Sequence, residues 1–202
     1  ENTLIGYAAG TNLTVGDGNV VLGSLALDAE TQGCKATAVG YNALSGQVNG
    51  SDVDTYNVAL GYQAGVAVTT GTKNILLGAR AADTLVSGAN NIVLGYNATA
   101  FGVGESNNIV IGYEAMGTAD EGTNGTIDFN IAIGTNVLLG SDLGTGSVVQ
   151  QKNVAIGHYA ADAIAGNAMT GIVAIGHQAL SGVSSGAGNT GVGFQAASGV
   201  ST

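Results

Sequence analysis

The sequence predicts an all-β fold, a parallel β-solenoid of about eleven coils, and three observations carry the prediction. A motif Asn-x-x-h-Gly, in which h is aliphatic, recurs eleven times along the 202 residues, with the asparagine replaced in two copies. Six of the ten intervals between its closing glycines equal 17 residues. The composition of 35 glycines, no proline and 9% charged residues lies outside the usual globular range.

The closing glycines are Gly6, Gly23, Gly40, Gly61, Gly78, Gly95, Gly112, Gly134, Gly157, Gly176 and Gly193. Their spacings run 17, 17, 21, 17, 17, 17, 22, 23, 19 and 17, so every departure from one coil of 17 is an insertion. Before each glycine stands Ile, Leu or Val, and two residues earlier Val, Ile or Thr, as in Asn108-Ile109-Val110-Ile111-Gly112. Branched residues at that density predict a strand. The residue between them is also apolar, so both faces of the strand need cover.

Three residues past the glycine stands alanine in ten copies, for example Ala64, Ala98 and Ala115, with Val137 the exception. A position restricted to a methyl is expected to point into a narrow coil. Asparagine opens nine copies, with Ala36 and Ile172 in the other two, and its amides are expected to hydrogen-bond from coil to coil as a ladder. The motif glycine supplies positive φ or close backbone approach at one corner. Gly16, Gly33, Gly71, Gly88 and Gly186 mark a second corner. Between the corners, stretches such as Val66-Ala67-Val68 and Leu85-Val86 read as a shorter second strand.

Coils stacked about 4.8 Å apart make a rod roughly 50 Å long. Alanine and one row of aliphatics fill such a coil, which leaves the opposite aliphatic row for an identical chain to cover under rotational symmetry. A formal charge of −10, with Lys35, Lys73, Arg80 and Lys152 as the only cations, argues against nucleic acid and anionic bilayers as partners. Apolar runs of three or four are too short for a membrane span. Cys34 is the single cysteine, so no intrachain disulfide forms. Residues 1–202 read as one solenoid domain, expected to be a segment of a longer fibre protein that caps it at both ends.

The copies Asn57-Val58-Ala59-Leu60-Gly61-Tyr62-Gln63-Ala64-Gly65, Asn130-Ile131-Ala132-Ile133-Gly134 and Asn153-Val154-Ala155-Ile156-Gly157 resemble the head repeats of YadA-like trimeric autotransporter adhesins. They resemble still more the related repeats of bacteriophage tail fibres, where Gly-Tyr-Gln-Ala and Gly-Tyr-Asn-Ala continue the motif. The resemblance spans essentially the whole chain, and the longer coil favours the phage-type relative. It implies a left-handed parallel β-roll, three chains about one axis, an extracellular place on a virion tail fibre, and attachment to a host-surface receptor, a glycan being one such receptor class. The alternative location is a bacterial cell surface, as an adhesin head.

Eight copies carry a ring directly after the glycine: Tyr7, Tyr41, Tyr62, Tyr96, Tyr113, His158, His177 and Phe194. Stacked coils turn these into a ladder, either structural or a platform for sugar rings. His158 and His177 occupy equivalent places in neighbouring coils without a completing ligand set, so no metal or other cofactor is expected. The insertions, residues 46–56 with Asp52 and Asp54, 117–129 with Asp120, Glu121 and Asp128, and 140–152 with Asp142, are the candidate receptor contacts. Their acids lack the spacing of known calcium loops and read as solvated charge. Asn12, Asn49, Asn97 and Asn124 fall in Asn-x-Ser/Thr sequons, at a frequency that chance supplies in this composition.

No paired catalytic carboxylates, nucleophile elbow or phosphate loop appears, so the chain is expected not to be an enzyme. A polysaccharide-degrading tailspike, with carboxylates across a groove between chains, is the alternative of another class. An ice-binding solenoid needs a regular threonine face, whereas threonine fills the first strand position only at Thr3, Thr37 and Thr190.

Overall fold

The computed structural model of the chain describes residues 1–99, 103–117, 126–138, 140–141, 149–162, 164–165, 169–183 and 186–199, with only the backbone described at 140–141 and 164–165. Among these residues there is no helix; every regular element is a strand, and every pair of strands is parallel. Numbered in chain order, the strands are β1 Thr3–Ile5, β2 Val20–Leu22, β3 Thr37–Val39, β4 Val58–Leu60, β5 Ile75–Leu77, β6 Ile92–Leu94, β7 Ile109–Ile111, β8 Thr126–Asp128, β9 Ile131–Ile133, β10 Gly140–Ser141, β11 Val149–Gln151, β12 Val154–Ile156, β13 Ile164–Ala165, β14 Met169–Thr170, β15 Val173–Ile175, β16 Gly186–Ala187 and β17 Thr190–Val192.

Eleven of them, the strands of the eleven motif copies, form one sheet in chain order, β1 to β7 and then β9, β12, β15 and β17. The chain is therefore a parallel β-solenoid whose successive rungs stack one upon the next. Equivalent motif positions pair throughout: Ile92 faces Ile109 across a 17-residue interval, and Ile109 faces Ile131 across one of 22. Insertions leave the register of the motif strands untouched.

The middle residue of the strand points inward. Val21, Ala38, Ala59, Leu76, Val93, Val110, Ala132, Ala155 and Ala174 are fully buried, as are the motif alanines from Ala26 to Ala179. Interior volume is conserved by exchange between rungs: Leu76 fits because Gly65 stands where Leu27 and Leu44 stand elsewhere, and a Cβ on Gly65 would lie 2.6 Å from Leu76 Cδ1. The flanking strand residues point outward, so Leu60 is 53% exposed and Val192 64%. Of the two apolar faces, this one is uncovered within the single chain.

The asparagine ladder is present. Asn74 Nδ2 donates to Asn57 Oδ1 at 3.2 Å, and the Asn91, Asn108 and Asn130 amides continue the series at 3.1, 3.3 and 3.1 Å. Each amide also spans its own coil, as in Asn57 Nδ2 to the Gly71 carbonyl at 2.7 Å and Asn74 Nδ2 to that of Gly88 at 2.9 Å. One side chain thus ties the two corners together and links neighbouring rungs.

At the motif glycine the backbone has φ between 127° and 146°. A Cβ on Gly95 would sit 2.2 Å from the Gly112 carbonyl oxygen, so the corner is closed to any side chain by its stacked neighbour. Non-glycine residues also turn left-handed at three fixed places per coil: before the asparagine (Lys35, Tyr56, Lys73), two past the glycine (Gln63, Arg80, Tyr159) and four past it (Leu27, Leu44, Met116). Alternating left-handed with right-handed residues swings successive peptide groups parallel to the stacking axis. Arg80 N–H then donates back to the Tyr62 carbonyl at 2.8 Å, and Leu44 N–H donates forward to that of Ala64 at 3.0 Å. Strained dihedrals, each costing about 1 kcal/mol, are held by bonds made in both directions.

The expected second strand at Val66-Ala67-Val68 and Leu85-Val86 does not form. These residues are in tight turns, with Val68 N–H donating to the Gly65 carbonyl and Leu85 N–H to that of Ala82, which tips the Val68 and Leu85 side chains into the core. A 17-residue coil has no length to spare for an extended run there. A second sheet, of β8, β11, β14 and β16, appears only toward the end of the chain, where the longer coils lie, and it runs along the corner before the asparagine.

Candidate functional site

The rings after the motif glycines do line up along the stack, in groups rather than as one ladder. Tyr41 and Tyr62 stack at 5.7 Å with planes 10° apart, and Tyr96 and Tyr113 at 5.9 Å and 10°. His158 lies 5.4 Å from His177 in a tilted contact, and His177 stacks on Phe194 at 5.2 Å and 11°. Small residues at the same position, Ser24, Ala79 and Thr135, separate Tyr7 from Tyr41, Tyr62 from Tyr96, and Tyr113 from His158. The tyrosines remain about half exposed, and Tyr7 more so, so their faces and hydroxyls are open at the surface. Regular spacing and planar faces suit ring-shaped ligands.

Arg80 sits beside the Ala79 gap, close enough to the Tyr62 and Tyr96 hydroxyls for an electrostatic effect, with Nε donating to Asp83 Oδ2 at 2.7 Å. Among the described residues no group of three or more His, Cys, Asp or Glu could hold a metal ion. His158 and His177 stand side by side as expected, and His158 also packs on Tyr159 at 4.0 Å.

The described acids of the insertions bind their own chain. Asp54 receives Lys35 Nζ at 2.6 Å and the Tyr56 hydroxyl at 2.7 Å, and these two bonds lower its pKa while raising that of Lys35. Asp52 accepts from Cys34 Sγ at 2.9 Å, which together with burial pushes the thiol up to about 11. Asp128 Oδ1 accepts from the Ser106 N–H at 2.7 Å, stitching the end of the 117–129 insertion to the rung before it. Asp120, Glu121 and Asp142 lie outside the described residues, as does Asn124. Asn49 is nearly buried and donates to a carboxylate, so its sequon is not free for a glycan.

That carboxylate is Glu30, a residue with no part in the sequence reading. It is fully buried, in the interior column that Val68 and Leu85 fill elsewhere. Oε1 accepts the backbone N–H groups of Thr31, Gln32, Gly33 and Asn49, and Oε2 accepts Gln47 Nε2 at 3.0 Å and Asn49 Nδ2 at 2.8 Å. Gln47 Oε1 in turn accepts Asn57 Nδ2 at 2.8 Å. The network stands where Ala36 interrupts the asparagine ladder, which is the signal that a charged residue in an apolar column would have offered. Burial works to raise the Glu30 pKa, but the hydrogen bonds from Asn49, Gly33 and Gln47 outweigh it and lower the value.

On the outer sheet face two columns run the length of the stack, one of Val20, Val58, Ile75 and their equivalents, with threonine at Thr3, Thr37 and Thr190, and the other of Leu22, Leu60, Ile175 and theirs. Among the described residues no helix is long and apolar enough to cross a membrane. No protein-family model, curated protein or solved structure matches the chain.

Proposed function

We propose that the chain is a structural and adhesive segment of an extracellular fibre, a bacteriophage tail fibre that attaches the particle to a host-surface receptor without catalysing a reaction. Three copies, each a left-handed coil, assemble about a common axis with their outer sheet faces turned inward. The observation that carries this reading is the uncovered aliphatic face. Ten rung spacings of about 4.8 Å and a width near 10 Å give a continuous, mostly aliphatic strip on the order of 500 Å², toward the upper end of the largest patch a typical monomer exposes and concentrated on one flat face. Each half-exposed Val, Ile or Leu that becomes buried adds on the order of 1 kcal/mol, and the strip supplies two on eight rungs and one on the rungs of Thr3, Thr37 and Thr190.

The number three, the handedness and the phage setting rest on the resemblance of the repeats to those of fibre proteins. The insertions at 46–56, 117–129 and 140–152 make the receptor contacts, with the exposed tyrosines as a second contact surface for a glycan. Sedimentation equilibrium of the segment with its flanking regions is expected to give three chains per particle, each contributing 19.6 kDa from this segment. A stable monomer overturns the assembly. Deleting residues 142–147, which shortens the 23-residue coil to 17, is expected to reduce binding to host cells while leaving the assembly intact, and undiminished binding when residues 118–122 are deleted as well overturns the role of these two insertions.

A further inference from the structure

Two columns of side chains border the aliphatic face, one at each end of the strands. At one border stands the ring position after the glycine. At the other stands the left-handed residue before the asparagine, and here the chain places Lys35, Tyr56, Lys73, Phe129 and Lys152. Three of the four cations of a chain with net charge −10 therefore lie in a single column. Lys73 and Lys152 are exposed and belong to neither ion pair found among the described residues, and Phe129 is 54% exposed.

On four of the eleven rungs the two borders are opposite in size. On the β5 rung Lys73 stands at one end and Ala79 at the other, where the tyrosine ladder is broken. On the β9 rung Phe129 is matched with Thr135, the next break. On the β15 and β17 rungs the relation reverses, with Gly171 and Gly188 matched to His177 and Phe194. Where both ends are large, a side chain is drawn onto its own chain: Lys35 and Tyr56 converge on Asp54, and His158 turns onto Tyr159.

We propose that the border carrying Lys73 and Phe129 on one protomer docks into the broken tyrosine ladder of the next, with Lys73 entering the Ala79 slot between Tyr62 and Tyr96 and Phe129 entering the Thr135 slot between Tyr113 and His158. This rests on the symmetric assembly proposed above. Rotation about an axis parallel to the stack moves no residue along that axis, so each rung meets its own equivalent, and inward-facing sheets bring unlike borders together. Two rungs separate the rings of a slot by about 10 Å. An inserted alkyl stem or phenyl ring needs roughly 7–8 Å between ring faces at ordinary carbon contact distances. The ammonium of Lys73 then lies against tyrosine faces, the contact Lys35 already makes with Tyr56 at 5.6 Å within one chain.

The test is chemical crosslinking in a Cys34→Ser background, which removes the only native thiol. Lys73→Cys combined with Ala79→Cys, and separately Phe129→Cys with Thr135→Cys, are treated with a short bis-maleimide and run on a denaturing gel. Within one chain the paired positions lie at opposite ends of a strand, about 20 Å apart, beyond such a linker. Linked dimers and trimers are expected for both pairs, and none for Lys73→Cys with Ser24→Cys, which sits three rungs away. If the protein sediments as a trimer but neither matched pair links, or the shifted pair links equally well, the border pairing is wrong and the assembly stands. If the unsubstituted protein sediments as a monomer, both fall together.

Discussion

Gln47 Nε2 lies 3.0 Å from Oε2 of Glu30, inside an interior whose equivalent positions in later coils are valine and leucine. Four backbone N–H groups and two side-chain amides converge on that one carboxylate. Its folded-state pKa lies below the unfolded value near 4.5, so its stabilisation is full above that value and is lost as pH falls through the lowered folded value. Glu30→Gln keeps one acceptor oxygen but turns an NH₂ toward two donors. A loss of about 2 kcal/mol at pH 7 is expected, with a flatter fall in melting temperature below pH 4.5 than in the unsubstituted protein, both read by circular dichroism.

Cys34 presents the opposite shift. Its hydrogen bond to Asp52 and its burial hold the thiol at about 11, so at pH 8 the thiolate fraction is on the order of a thousandth. Alkylation by iodoacetamide in the folded protein is expected to be slower than that of a free thiol by two orders of magnitude or more. Asp52→Asn is expected to accelerate it. An unchanged rate in that variant would assign the protection to burial alone.

Much of this architecture was legible in the residues. The 17-residue interval, the asparagine ladder, the buried alanines and the glycine corner were all expected and all stand in the structure. What could not be read were the left-handed turns at Gln63, Arg80 and Leu44, because no consistent side-chain type marks them and glycine takes the Leu44 place only at Gly10 and Gly65; bonds between rungs impose them. The inserted acids were equally opaque. Asp52, Asp54 and Asp128 resemble surface charge in sequence, and only the fold brings Cys34, Lys35 and Ser106 to them.

The glycines separate into two kinds with opposite expectations. Gly95→Ala puts a Cβ 2.2 Å from the Gly112 carbonyl at a φ of 144°, and a loss above 4 kcal/mol or failure to fold is expected. A Cβ on Gly50 has nothing within 4 Å, so Gly50→Ala is expected to change stability by less than about 0.5 kcal/mol. Chemical denaturation of the two variants checks both.

Inward and outward strand positions separate folding from assembly. Ala59→Asp buries a charge in the core and is expected to abolish the folded state. Leu60→Asp, one residue along and 53% exposed, is expected to leave the β-sheet circular dichroism spectrum intact while shifting sedimentation from trimer to monomer. A trimer of unchanged stability in Leu60→Asp would show that this face is not the one that associates.

Because each rung is joined to the next by backbone bonds lying along the stack, tension on the rod loads a whole rung's bonds at once. A coil that peels away gives up one layer of the stack, about 4.8 Å, but frees 17 residues that extend to roughly 60 Å. Under a pull, then, the molecule lengthens in discrete steps and sheds load before it severs, a behaviour suited to a tether.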